Sequence, residues 1–192
     1  MAESYVIGVD FGSDSVRALI VNTETGENVG QGVACYPRWK AGLYQHPEHS
    51  IFRQHPLDYL ESLEKCITTA LAELTEEQKD HVIGIGVDTT GSTPVPVDKN
   101  GTPLALLDEF AENENAMFFL WKDHAAAAEA DEINKLFRNN SENDYTKYQG
   151  DYSAEWYWAK ILYAVRHDEA IRQAAYTWEE HCDWMTGILC GE

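Results

Sequence analysis

Asp10-Phe11-Gly12-Ser13-Asp14-Ser15-Val16-Arg17 is the stretch of this chain whose residue types and spacing could do the most chemistry. It separates two apolar runs, residues 5–11 and 15–21, so its polar groups gather at a turn between two strands. A carboxylate at a strand end can hold hydrated magnesium, an ion that keeps several waters and takes one or two carboxylates. Gly12 lets the backbone approach a phosphate closely, Ser13 and Ser15 offer hydroxyl and amide donors, and Arg17 can fork onto phosphate oxygens. Together these residues could cradle a polyphosphate. An ordinary hairpin turn is the alternative: it would use the same glycine and aspartates for backbone geometry and leave Arg17 on a solvated strand face.

Other reactive-looking clusters carry less. Asp10-Phe11-Gly12 matches the DFG of protein kinases, but the glycine-rich loop, strand lysine and HRD segment that must precede it are absent. His46-Pro47-Glu48-His49 has the residue types of a metal site, yet Pro47 argues against a helix presenting both histidines. The four cysteines, Cys35, Cys66, Cys182 and Cys190, form no C-x-x-C pair and read as buried free thiols.

The chain has 192 residues, of which 44% are hydrophobic, enough for a sizeable core. Fourteen Lys and Arg against 33 Asp and Glu give a net charge of −19, which repels nucleic acid and anionic membranes alike. Binding a nucleotide in that field needs local backbone dipoles, an arginine and a divalent cation, whereas a neutral sugar would not feel it. No signal-peptide pattern opens the sequence and no stretch is apolar enough to span a bilayer, so a cytoplasmic protein is expected.

The elements that must position the turn read as follows. Residues 5–11, 15–21 and 28–36 predict an antiparallel β-meander. Residues 37–55 have no period and read as a functional or capping loop. Pro56 suits a first helical position, and Leu57, Leu60, Leu63, Ile67, Leu71 and Leu74 recur at helical spacing, which predicts a helix over 56–74 with those residues inward. Residues 81–87, HVIGIGV, read as a strand buried on both faces, reached by a helical crossover. A turn at Asp98-Lys99-Asn100-Gly101, a short strand at 116–121 and helices near 123–137, 153–166 and 168–175 complete an α/β chain. No linker or internal boundary is visible.

D-x-G-(S/T)-x-(S/T)-x-R after a first strand resembles the phosphate loop shared by sugar kinases, actin and Hsp70-type ATPases. The resemblance implies the ribonuclease H-like ATPase fold, in which Asp10 approaches Mg2+ through water and Gly12, Ser13, Ser15 and Arg17 approach the phosphates of ATP. Asp14 stands where sugar kinases commonly have a hydroxyl, and its charge disfavours a direct phosphate contact. Two further segments are similar to the FGGY carbohydrate kinases. Residues 86–93, GVDTTGST, followed by residues 94–104, resemble that family's strand, substrate loop and D-x-x-G-x-P-L turn. Gly91-Ser92 stands where glycerol kinases carry Arg-Glu, which implies a roomier pocket suited to a larger polyol or ketose. Trp121-Lys122-Asp123 resembles the family's W-x-D-x-R segment, which places a Trp and a carboxylate by the sugar, with His124 and Ala125 departing from the pattern. A Trp ring covers sugar C–H faces and a carboxylate accepts from hydroxyls. The bland reading makes Trp121 a core aromatic and Asp123 the N-cap of the next helix.

Residues 90–94, 103–107, 115–123, 153–162 and 182–184 resemble the branch of this family that acts on L-ribulose more than the xylulose or glycerol branches. What the resemblance implies is an incomplete N-terminal domain spanning 1–192, with ATP, Mg2+ and a ketopentose as ligands. The catalytic aspartate would lie after Glu192, so no catalytic residue is expected in this chain, and the second, nucleotide-binding domain would lie outside it. Oligomeric state, including a homo-oligomer, stays open. The alternatives are another FGGY kinase, an actin- or Hsp70-like ATPase, and a non-catalytic sugar-binding or assembly module.

Overall fold

The computed structural model describes residues 3–140, 142 and 144–191. Its strands are β1 (Tyr5–Phe11), β2 (Ser15–Asn22), β3 (Asn28–Cys35), β4 (Gln45–His46), β5 (Ile51–Gln54), β6 (Val82–Thr89), β7 (Pro94–Val97), β8 (Phe118–Phe119) and β9 (Thr177–Glu180). Its helices are α1 (Pro37–Lys40), α2 (Pro56–Leu71), α3 (Glu76–Lys79), α4 (Ala127–Asn139), α5 (Thr146–Gln149), α6 (Tyr157–His167), α7 (Glu169–Ala174) and α8 (His181–Cys190). The chain divides into two compact units, one of Met1–Leu43, His55–Thr90 and Cys182–Glu192, the other of Tyr44–Gln54 and Gly91–His181. The sequence shows no boundary because the chain passes back and forth between the units instead of crossing once through a linker.

The first unit is built on a four-stranded sheet in the order β3-β2-β1-β6. The expected meander is present, with Asp10 opposite Arg17 and Phe11 opposite Val16 in the antiparallel β1–β2 pair. Period-two patterning sets which face is covered: Ile7, Val9 and Phe11 of β1 and Val16, Ala18 and Ile20 of β2 are buried. α2 lies on that face. Pro56 occupies its first turn and the His55 ring accepts from Leu57 N at 3.2 Å. Its buried face matches the leucine spacing at Leu63, with Leu74 buried just past its end, and departs from it elsewhere: Tyr59, Ser62, Cys66 and Ala70 face inward, while Leu57, Leu60, Ile67 and Leu71 are half-buried. The reason lies in β3. A Cβ on Gly32 would sit 2.1 Å from the Cys66 carbonyl oxygen, and one on Gly30 2.6 Å from that of Ala70. Glycines on the strand and small residues on the helix let the two backbones approach at Cys66 and Ala70, where a leucine would not fit.

β6 pairs in parallel with β1, but it does not have two buried faces. It is the outer strand of the sheet, and Ile83 is 69% and Ile85 42% exposed. α2 packs on β2 and β3 and leaves β6 uncovered. The cysteines also depart from expectation: all four are free, but Cys66 is buried while Cys35, Cys182 and Cys190 are exposed.

The second unit holds two small antiparallel sheets, β4-β5-β8 and β7-β9, of which β4, β5 and β9 are absent from the sequence reading. Leu104, Ala105, Ala116, Met117 and Ile171 form one apolar cluster, and Ala126, Ala130 and Ala159 join α4 to α6 in another. The turn after β7 closes as its residue types predict, with the Asp98 carboxylate accepting from Asn100 N at 2.7 Å and Thr102 N at 3.0 Å.

Candidate functional site

In the first unit the β1–β2 turn is held from three sides. Gly12 N donates to the Ser15 carbonyl at 3.0 Å, closing the hairpin. Tyr36 donates its hydroxyl to the Gly12 carbonyl at 3.1 Å and its backbone N–H to the Asp14 carbonyl, also at 3.1 Å. The Trp39 indole donates to the Asp14 carboxylate at 2.7 Å. Asp14 is therefore a strut of the turn, and sequence reasoning misses Trp39 because nothing in α1 distinguishes it from an ordinary core aromatic. Burial, with the negative charges of Asp10 and Asp58 nearby, pushes the Tyr36 phenol far above its usual value, so it stays a donor. Asp58, itself buried, accepts from Arg38 N and Trp39 N at 3.0 Å each and so fixes α1, which carries that indole.

Asp10 and Arg17 face each other across the register and pair at 3.0 Å, both substantially exposed. An exposed pair of this kind is weak and can open toward a ligand. Asp88, at the end of β6, stands beside Asp10 in the parallel register and is also exposed, which sequence reasoning leaves out of the site. Its signal is the repetition of V-D-(F/T) at the ends of β1 and β6. Two neighbouring carboxylates at strand ends, with no third metal-ligating side chain among the described residues, fit a metal that keeps most of its water shell. Ser13 is half-buried and Ser15 is buried at the start of β2.

The second unit carries the other predicted segments. Trp121 is 39% exposed, which sets aside the reading of it as a core aromatic. Asp123 is fully buried: it pairs with Arg53 of β5, accepts from Phe52 N at 2.7 Å through one oxygen, and accepts from Ala125 N at 3.1 Å through the other. It closes an Asx-type turn instead of capping a helix, since α4 begins only at Ala127. Arg53 also lies over the Phe119 ring, 3.5 Å from its centroid. Burial lowers the Arg53 pKa to about 9, with Tyr163 and Glu114 acting the other way. Asp123 thus holds the Trp121 segment in place, and its oxygens are already engaged within the protein.

Gly91 is exposed and Ser92 half-exposed at the entry to β7. Thr93 is fixed by its N–H to the Glu180 carboxylate at 2.7 Å. The Lys160 ammonium, buried on α6, donates to the Ser92 carbonyl at 2.7 Å and the Leu120 carbonyl at 3.0 Å, so the Gly91-Ser92 and Trp121 segments meet at one cation. Trp158 is 63% exposed, whereas Trp156 packs edge-on against Tyr152 at 4.9 Å. His124, which departs from the family pattern, pairs with Glu155 at 2.7 Å. His46 pairs with Glu114 at 2.9 Å and belongs to no metal cluster among the described residues.

Residues 5–192 match the N-terminal domain of the FGGY family of carbohydrate kinases. Over 188 residues the chain is 54% identical to a ribulokinase of Vibrio parahaemolyticus, covering 97% of this chain and 33% of that one. It is 38% identical over 196 residues to a ribulokinase of Mycolicibacterium smegmatis, covering 99% of this chain and 35% of that one. The chain thus spans about a third of the length of these relatives. Among solved structures, a xylulose kinase from Bifidobacterium adolescentis superposes with a TM-score of 0.72 at 19% identity, over 98% of this chain and 34% of that one. A gluconate kinase from Lactobacillus acidophilus gives 0.73 at 13% identity, over 97% and 33%. These likenesses establish the ribonuclease H-like ATPase fold. The β1–β2 turn, the Gly91-Ser92 and Trp121 segments, and a match that runs from β1 to the end of the chain have one explanation in common: the chain belongs to the FGGY family of carbohydrate kinases.

Proposed function

We propose that the protein to which this chain belongs is an L-ribulokinase, which transfers the γ-phosphoryl group of ATP to the 5-hydroxyl of L-ribulose in arabinose catabolism. The observation that carries this reading is the 54% identity to a ribulokinase across 97% of the chain, against 12–19% to solved xylulose, gluconate and glycerol kinases. The new bond joins the sugar oxygen to γ-phosphorus, the bond from γ-phosphorus to the bridging oxygen breaks, and ADP leaves. The hydroxyl proton passes to an aspartate, which the family resemblance puts after Glu192. Gly12, Ser13, Ser15 and Arg17 would meet the ATP phosphates, while Asp10, with Asp88 beside it, would hold Mg2+ through its bound waters. The metal neutralises phosphate charge, which matters more than usual in a chain of net charge −19. Gly91, Ser92 and Trp121 meet the sugar, the indole covering its C–H face. Asp123 acts through them by holding their backbone.

A neutral sugar and a strongly acidic surface suit a cytoplasmic enzyme with neither nucleic-acid nor membrane partners; among the described residues no helix is long and apolar enough to cross a membrane. The test is a coupled ADP-release assay on the complete protein with L-ribulose, D-xylulose, glycerol and D-gluconate. Highest kcat/KM for L-ribulose is expected, and a clear preference for any other acceptor refutes the assignment. A second reading concerns the 192 residues alone. Because they span about a third of the relatives, they are expected to bind sugar without turning it over, and full turnover by this chain would overturn that.

A further inference from the structure

Lys160 has no solvent exposure, yet its side chain ends in a cation. Nζ lies 2.7 Å from the Ser92 carbonyl oxygen, 3.0 Å from that of Leu120, and 3.4 Å from those of Phe119 and Trp121. An ammonium has three N–H donors, and here each has a carbonyl within reach. Burial pulls its pKa down to about 7, Arg53 acts in the same direction, and Glu180 and Glu155 oppose them. A methionine of similar length would fill this space without that cost, so packing alone does not account for a lysine. Nor can the amine act on a ligand, because it is sealed from solvent. What the cation does that an apolar side chain cannot is gather carbonyls from two segments distant in sequence, the loop after β6 and the loop after β8.

We infer that Lys160 is the positioning residue of the sugar site, fixing the backbone of Gly91-Ser92 and of Trp121 in one arrangement through the carbonyls of Ser92, Leu120 and Trp121. This rests on the reading of those two segments as sugar-binding. A sugar is held by several weak contacts at once, so a shift in the spacing of the segments costs affinity even when every contacting side chain survives.

The experiment compares Lys160→Met, which keeps length but donates nothing, with Lys160→Gln, which keeps an amide donor. Hydrogen exchange is read on peptides covering residues 90–94 and 118–124, and L-ribulose binding is read by calorimetry on the same samples, below the melting temperature of each variant. Loss of a charge-assisted hydrogen bond predicts about tenfold weaker binding for K160M, with partial recovery in K160Q. Faster exchange should be confined to the two peptides. Unchanged exchange there, or unchanged affinity, overturns the inference, as does global unfolding of both variants, which would make Lys160 a stabilising residue only. If the unsubstituted chain binds no L-ribulose, the sugar reading fails, and the exchange data alone decide whether Lys160 positions the two loops.

Discussion

Replacing Asp123 by asparagine separates a carboxylate that holds the scaffold from one that waits for a sugar. The side chain keeps its shape and loses its charge, leaving the fully buried Arg53 guanidinium without its counter-ion. Removing one partner of a buried pair costs about 3–5 kcal/mol, because the remaining charge is neither solvated nor compensated. A second loss adds to the first. The two oxygens accept from Phe52 N and Ala125 N, and an amide has only one oxygen, so one buried N–H must face an NH2 group. That costs a further ~1–3 kcal/mol, with less than full additivity because both effects act on one side chain. At roughly 2–4 °C per kcal/mol for a chain of this size, the ligand-free D123N chain should therefore melt at least about 6–20 °C lower. Thermal and urea unfolding of the ligand-free protein, followed by circular dichroism, reads this directly. The double variant Arg53→Met, Asp123→Leu should recover only the part of the loss due to the orphaned charge, since leucine leaves Phe52 N and Ala125 N without an acceptor. A D123N protein as stable as the parent but deaf to L-ribulose would refute the reasoning and return Asp123 to direct sugar contact.

Gly32→Ala should destabilise by about 1–3 kcal/mol in urea unfolding, because its Cβ would meet the Cys66 carbonyl oxygen at 2.1 Å and force β3 and α2 apart. Gly86→Ala, on the same sheet with nothing within 4 Å, should stay within about 0.5 kcal/mol of the parent. Burial depresses the His181 pKa from 6.5 to about 3, so the unfolded chain takes up a proton that the folded chain refuses as pH falls through that window. Stability should drop on acidification from pH 6.5 toward 3, on the order of 5 kcal/mol in all, and His181→Asn should flatten the upper part of a stability-against-pH curve, before the carboxylates titrate. Trp121→Ala should weaken L-ribulose binding about tenfold by calorimetry while moving the unfolding midpoint little, since the ring is 39% exposed.

The opening hairpin was legible because period-two alternation and a Gly-Ser-Asp turn point to the same local structure, and β1 and β2 need no distant partner to define their register. α2 was legible as a helix but only in part in its facing. Leucine spacing assumes that the largest apolar side chains point inward, whereas at Gly30 and Gly32 the helix backbone at Cys66 and Ala70 itself comes against the strand. The β6 pattern reads as a central strand, and local sequence carries no information on where the sheet stops, so its 69% exposed Ile83 could not be foreseen. Lys160 was hidden for a different reason. A lysine in an amphipathic helix ordinarily marks the solvent side, and only the fold reveals that carbonyls from two loops surround this one.

Asp14 and Asp123 point to a common rule for reading such motifs. Both lie inside segments that family likeness ties to ligands, yet Asp14 accepts from the Trp39 indole and Asp123 is enclosed by Arg53, Phe52 N and Ala125 N. A carboxylate is the strongest acceptor a short turn can own, so a turn that must hold one shape tends to use it internally, where each backbone N–H it satisfies removes the cost of an orphaned donor. The groups left for a ligand are then those with little to give the scaffold: the exposed Gly91, the half-exposed Ser92, the Trp121 ring, and the weakly paired Asp10 and Arg17. Motif identity therefore locates the segment, and exposure together with unspent hydrogen-bonding capacity separates the residues that build the site from those that can touch what enters it.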